Sequence, residues 1–158
     1  MKKILLYATI IFTIFILLTG CTNNLNLLNL NSKKPNKFYY TAKLLKYINQ
    51  EKPSKCIMSE TNFHKEKQLD AKTVEDIKTM FKSLDEKNFI ESVKNLPSKP
   101  KYKIILTFKE EKLLINVYNE NYISVYPWDG IYSMDYIDTS KIPVSLNLYN
   151  LGNYVFKQ

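Results

Sequence analysis

Arginine is absent: all 23 basic residues of this 158-residue chain are lysine. Arginine supplies the planar fork that reads phosphates and base edges bidentately, so no nucleic-acid partner is expected. Histidine occurs once, at His64, too few for the multi-histidine zinc sites of metallohydrolases. Glycine occurs three times, at Gly20, Gly130 and Gly152. No P-loop, GxGxxG or GxSxG motif is present, which removes the phosphate-cradling loop and the nucleophile elbow. Cysteine occurs only at Cys21 and Cys56. No run of about 20 apolar residues exists, the length needed to cross a bilayer as a helix. No metal and no cofactor is expected.

The longest apolar run is Ile4 to Leu18, fifteen residues interrupted only by Thr9 and Thr13, behind the positive Met1-Lys2-Lys3. That is short for a spanning helix and the right length for the apolar region of a secretory signal. It ends in Leu18-Thr19-Gly20-Cys21, followed by the polar Thr22-Asn23-Asn24 with no stop-transfer pattern. These residues resemble the lipobox of bacterial lipoproteins. The resemblance implies that the Cys21 thiol receives a diacylglyceryl group and that the chain is cut between Gly20 and Cys21. Two acyl chains anchor stably where one is marginal, at about 0.8 kcal/mol per buried CH₂. The expected product is a peripheral protein on the outer face of the cell membrane, with Cys56 left without an intramolecular disulfide partner.

The expected organisation is a signal peptide over 1–20, a lipidated cysteine and tether over 21–37, and a single domain over 38–158. Residues 22–37 alternate Asn with Leu and then turn to Ser-Lys-Lys-Pro, without a clean period. Sixteen residues span at most about 55 Å extended, and about 22 Å as a coil. Residues 33–112 carry 19 Lys against 11 acids, whereas residues 113–158 carry two Lys against four acids. The basic part lies nearer the tether, where an anionic lipid surface attracts each well-placed Lys by about 1 kcal/mol. A solvated lysine surface accounts for the same charge.

Along the domain, Tyr40, Leu44, Leu45 and Ile48 recur at helical spacing before Pro53. Residues 55–63 suit a strand, and HKEKQLDAK reads as a polar loop. Thr73-Val74-Glu75-Asp76 has the form of a capping box with Thr73 as N-cap. The stripe Val74, Ile77, Met80, Phe81 and Leu84 follows, then a short helix with Phe89, Ile90 and Val93. From Lys101 the period drops to two: Tyr102, Ile104, Leu106 and Phe108, then Leu113, Ile115 and Val117, then residues 122–126. Ile131 to Met134 suits a fourth strand, and Pro143 opens a last short helix through Leu148. The expected fold class is α+β, with N-terminal helices packed on one face of a three- to four-stranded antiparallel sheet.

Chemistry-bearing residues are sparse. His64 lies in a charged loop, remote in pattern from Cys56. Asp129, Asp135 and Asp138 lack the spacing of a calcium loop. Aromatic residues are dense, eleven between 102 and 156, including the only tryptophan, Trp128. Tyr122, Ser124 and Tyr126 share one strand face opposite Ile123 and Val125. Tyr122, Tyr126, Trp128, Asp129 and Tyr132 therefore form the candidate binding patch, suited to stacking on sugar rings or anchoring a protein.

The lipobox, the short tether, the helices after TVEDI and the strands through ISVYPWDGIY together resemble short uncharacterised lipoproteins of clostridial-type Gram-positive bacteria. Those carry a C-terminal domain of unknown function, so the resemblance implies a location and no activity. The expected function is a non-enzymatic, membrane-tethered module that binds a protein partner or an envelope polymer. The alternative is a cell-envelope hydrolase using a carboxylate pair drawn from Asp129, Asp135 and Glu60.

Overall fold

The computed structural model describes residues 34–157. The lipobox residues Leu18, Thr19, Gly20 and Cys21 lie outside them. In chain order the elements are α1 (Tyr39–Gln50), β1 (Lys55–Glu60), β2 (Lys65–Gln68) and α2 (Ala71–Lys82), then a 3-10 turn (Glu86–Asn88) and β3 (Phe89–Ile90). Next come β4 (Tyr102–Thr107), β5 (Lys112–Val117), β6 (Tyr122–Pro127) and β7 (Asp135–Asp138). A 3-10 turn (Val144–Leu146) and α3 (Leu148–Lys157) close the described chain.

The strands form one seven-stranded sheet in the order β2-β1-β4-β5-β6-β7-β3. Every pairing in it is antiparallel. The expectation of N-terminal helices on a three- or four-stranded sheet is thereby overturned. The sheet has seven strands, and the helices are dispersed, with α3 at the C-terminal end. The reasons are local. β2 reads KEKQ and is exposed throughout, so it has no apolar alternation to detect. It is an edge strand, and its charges discourage further pairing. β3 is two residues long and replaces the short helix expected at Phe89 and Ile90. β7 reads DYID, with Asp135 rather than an apolar residue buried at its start, and it lies just beyond the Ile131 to Met134 segment.

One face of the sheet carries the core. Met58, Ile104, Ile115 and Val125 stand in register across β1, β4, β5 and β6, and all four are fully buried. Leu44 of α1, Ile77 and Phe81 of α2, and Leu148 of α3 join the same cluster. Each such side chain contributes about 1.5–3 kcal/mol by leaving water. The opposite face of β5 is buried too, at Leu114 and Asn116, so the central strand reads as a continuous run rather than an alternation. There Asn116 Nδ2 donates to Ser124 Oγ at 3.3 Å.

Helix starts follow capping chemistry that the sequence places differently. The N-cap of α2 is Asp70, whose carboxylate accepts the backbone N–H of Thr73 at 2.8 Å. Thr73 thus sits inside the helix, not at its cap. Phe38, the N-cap of α1, offers no side-chain acceptor. Asp135 of β7 fills that role from across the fold by accepting the N–H of Thr41. Gly152 lets α3 approach the sheet: a Cβ there would lie 2.4 Å from the Tyr102 ring.

Candidate functional site

Two turns meet at one end of the central strands. Phe108 N–H donates to Glu111 O at 2.8 Å and closes the turn between β4 and β5. At the end of β6, Trp128 N–H donates to Lys112 O at 3.1 Å, and Gly130 N–H donates to Pro127 O at 3.3 Å. These bonds hold the Pro127–Gly130 turn beside the first. The middle of α1 brings Lys43 and Tyr47, one turn apart, to the same place. Between them lies an open cleft of about 590 Å³, lined by Tyr47, Phe108, Trp128 and Asp129 among others.

The floor is rigid. The Tyr47 and Phe108 rings stack with centroids 5.1 Å apart and an interplanar angle of 25°. Lys43 Nζ donates to Glu111 Oε1 at 2.6 Å, with the Glu111 side chain 11% exposed. Burial lowers the Lys43 pKa, but the hydrogen bond and charge of Glu111 outweigh it, and the net shift is upward. Burial and then the Glu111 charge raise the Tyr47 hydroxyl. Trp128 stands above this floor with 72% of its surface exposed. The lining holds three lysines, Lys43, Lys109 and Lys112, and three acids, Glu110, Glu111 and Asp129, so its charges balance.

The structure divides the five residues of the sequence-derived patch. Trp128 and Asp129 meet at the cleft. Tyr132 turns to α1, its ring edge-on to Tyr39 with centroids 5.5 Å apart, and its N–H donates to Tyr40 Oη at 2.9 Å. Tyr126 is half-buried opposite Leu114. Tyr122 is half-buried at the far end of β6, opposite Asp138. It is about 20 Å of strand away from Trp128. The residues that complete the cleft, Lys43, Tyr47, Phe108 and Glu111, come from other elements. In sequence they carry only a helix pattern, a strand pattern and a turn.

The carboxylates of the hydrolase alternative are not brought together. Asp135 is buried on the core side and bound by Thr41 N–H at 2.7 Å and Lys34 Nζ at 3.0 Å. Asp129 is exposed in the turn. Glu60 stands on β1, four strand positions from β7, which is about 19 Å. Asp138 accepts the N–H of Ser140 within its turn. His64 is exposed beyond the end of β1 with a left-handed φ of 51°. Cys56 is buried, and that burial pushes its thiol up to about 12. Among the described residues no three His, Cys, Asp or Glu side chains gather as metal ligands would.

An antiparallel sheet with helices on its core face and a cleft at one end of its central strands is the class of architecture these residues build. Residues 34–152 match the model of a "Domain of unknown function (DUF4883)", and the chain belongs to that family. Among solved structures, a candidate lipoprotein from Clostridium perfringens is similar at 33% identity with a TM-score of 0.70. The match covers 80% of this chain and 100% of that one. No curated protein matches the chain.

Proposed function

We propose that the protein is an extracytoplasmic lipoprotein, cut before Cys21 and held at the outer face of the cell membrane by a diacylglyceryl group on that thiol. Its sheet domain acts as a non-enzymatic binding module for an envelope component, with the cleft beside Trp128 as the binding site. The observation that carries the anchoring is Leu18-Thr19-Gly20-Cys21 at the end of a fifteen-residue apolar run. The lipoprotein description of the Clostridium perfringens structure supports it. The exposure of Trp128 beside an open cleft supports the binding role, since an aromatic side chain at the edge of a concavity offers contact area to a ligand seated there. No more than about 47 Å can separate Cys21 from Lys34, so the domain works close to the bilayer.

Metabolic labelling with an alkyne-tagged palmitate tests the anchor. The expected result is a labelled protein in the membrane fraction, digestible by protease added to intact cells, with its N-terminus at Cys21. The Cys21→Ser variant should carry no label and retain residues 1–20. Label persisting on Cys21→Ser, or a wild-type N-terminus at Met1, sinks the reading.

A further inference from the structure

We infer that the cleft beside Trp128 binds an uncharged carbohydrate, with one sugar ring stacked on the indole and its hydroxyl groups bonded to the charged rim; this deepens the binding role proposed above and rests on it. A sugar ring presents two unlike surfaces. Its C–H face is apolar and gains dispersion contact with an aromatic plane. Its edge carries hydroxyls, each able to donate and to accept.

The cleft offers the complement of both. Trp128 supplies an aromatic surface that is 72% exposed. With Lys43 and Glu111 paired to each other, the exposed rim supplies two ammonium donors, Lys109 and Lys112, and two carboxylate acceptors, Glu110 and Asp129. A polyanion meets two like charges there and a polycation meets two as well, each a cost in affinity. A neutral polyol meets none. The volume of about 590 Å³ falls inside the range of small-ligand sites, about 300–1,000 Å³. The Lys43–Glu111 pair and the Tyr47–Phe108 stack tie the floor residues to one another, contacts that reduce the ordering cost of binding.

Trp128 is the only tryptophan, so intrinsic fluorescence reads the site directly. The full-length chain, in a detergent without a sugar headgroup, is titrated with β-1,4-linked glucose tetrasaccharide and with N-acetylglucosamine tetrasaccharide. Heparin and polylysine serve as the charged comparisons. A saturable change is expected with at least one neutral tetrasaccharide and with neither charged polymer. By calorimetry, Trp128→Ala should weaken that binding about tenfold or more, the scale of a central contact residue. Phe63→Ala, which removes an exposed aromatic in the β1–β2 connection, should leave it unchanged. No saturable binding up to about 10 mM, where single weak sites still register, overturns the inference. So does Trp128→Ala binding within twofold of wild type, or a preference for a charged polymer. Capture of a protein at Trp128 with no response to any sugar overturns it too, while leaving the binding role standing.

Discussion

The backbone N–H of Thr41, in the first turn of α1, donates to the carboxylate of Asp135 at 2.7 Å across 94 residues of sequence. Lys34 Nζ approaches the other oxygen at 3.0 Å. The buried carboxylate thus caps a helix whose own N-cap, Phe38, cannot. Burial raises the pKa of Asp135, against the lowering pull of the Thr41 N–H and Lys34. A raised folded-state pKa means the native protein binds this proton more readily than the unfolded chain. Its contribution is therefore full below about 3.9, the unfolded value, and is lost as pH rises through the folded value.

Lys34→Met removes the opposing charge. It should raise the Asp135 pKa further and widen that pH window. At pH 7 it should cost about 3 kcal/mol, because a buried carboxylate loses its ionic partner. Asp135→Asn should flatten this part of the pH dependence. Urea midpoints from acid to neutral pH, for wild type and both variants, check the argument. A loss below about 0.5 kcal/mol for Lys34→Met would place the pair among surface ion pairs and sink it.

Gly152 is required by proximity, not by backbone conformation. A Cβ at that position would meet the Tyr102 ring at 2.4 Å and Met58 Cε at 2.8 Å. Tyr102 is itself buried and stacked on Phe156 with centroids 5.7 Å apart. Gly152→Ala should destabilise the domain by about 1–3 kcal/mol, as overpacking does, despite the better helix propensity of alanine. A thermal melt unchanged or raised in the variant contradicts the packing.

The Cys56 thiol is buried and its pKa is pushed up to about 12, so almost no thiolate exists at neutral pH. In the folded protein it should resist DTNB and maleimide. Labelling should accelerate with urea in step with the loss of circular dichroism. Stoichiometric labelling of Cys56 within minutes under native conditions would show that the β1 side of the core opens locally.

Trp128 should emit near the wavelength of tryptophan free in water, given its exposure of 72%. Acrylamide should quench it almost as well before unfolding as after. A blue-shifted, protected emission from the unliganded chain would mean that the indole is already covered.

Much of the fold was legible because burial imposes period. The 3.6-residue recurrence of Tyr40, Leu44 and Ile48 gives α1, and the alternation from Tyr102 to Leu106 gives β4. The rest lacked a period to read. β2 is exposed on both faces at the sheet edge, and β3 is too short to alternate. α3 is the exception: Leu148, Leu151, Val155 and Phe156 recur at helical spacing, and contact with Tyr102 and Met58 explains the glycine at 152 among them. Of the candidate patch, Trp128 and Asp129 reach the cleft, while Tyr132 goes to α1 and Tyr122 to the far end of β6.

What the amino-acid order determined by itself was local: the lipobox resemblance at Leu18 to Cys21, the absence of arginine and phosphate loops, the periods of the larger elements, and a lone tryptophan in a turn. Tertiary structure decided what no local pattern encodes. It sent Asp135 to the start of α1 and set Tyr47 of α1 against Phe108 after β4. It also joined Lys43 to Glu111 beneath Trp128. The physical reason is that side-chain period records only whether a residue leaves water, whereas a cap, a stack or a cleft depends on which distant residue occupies the space beside it.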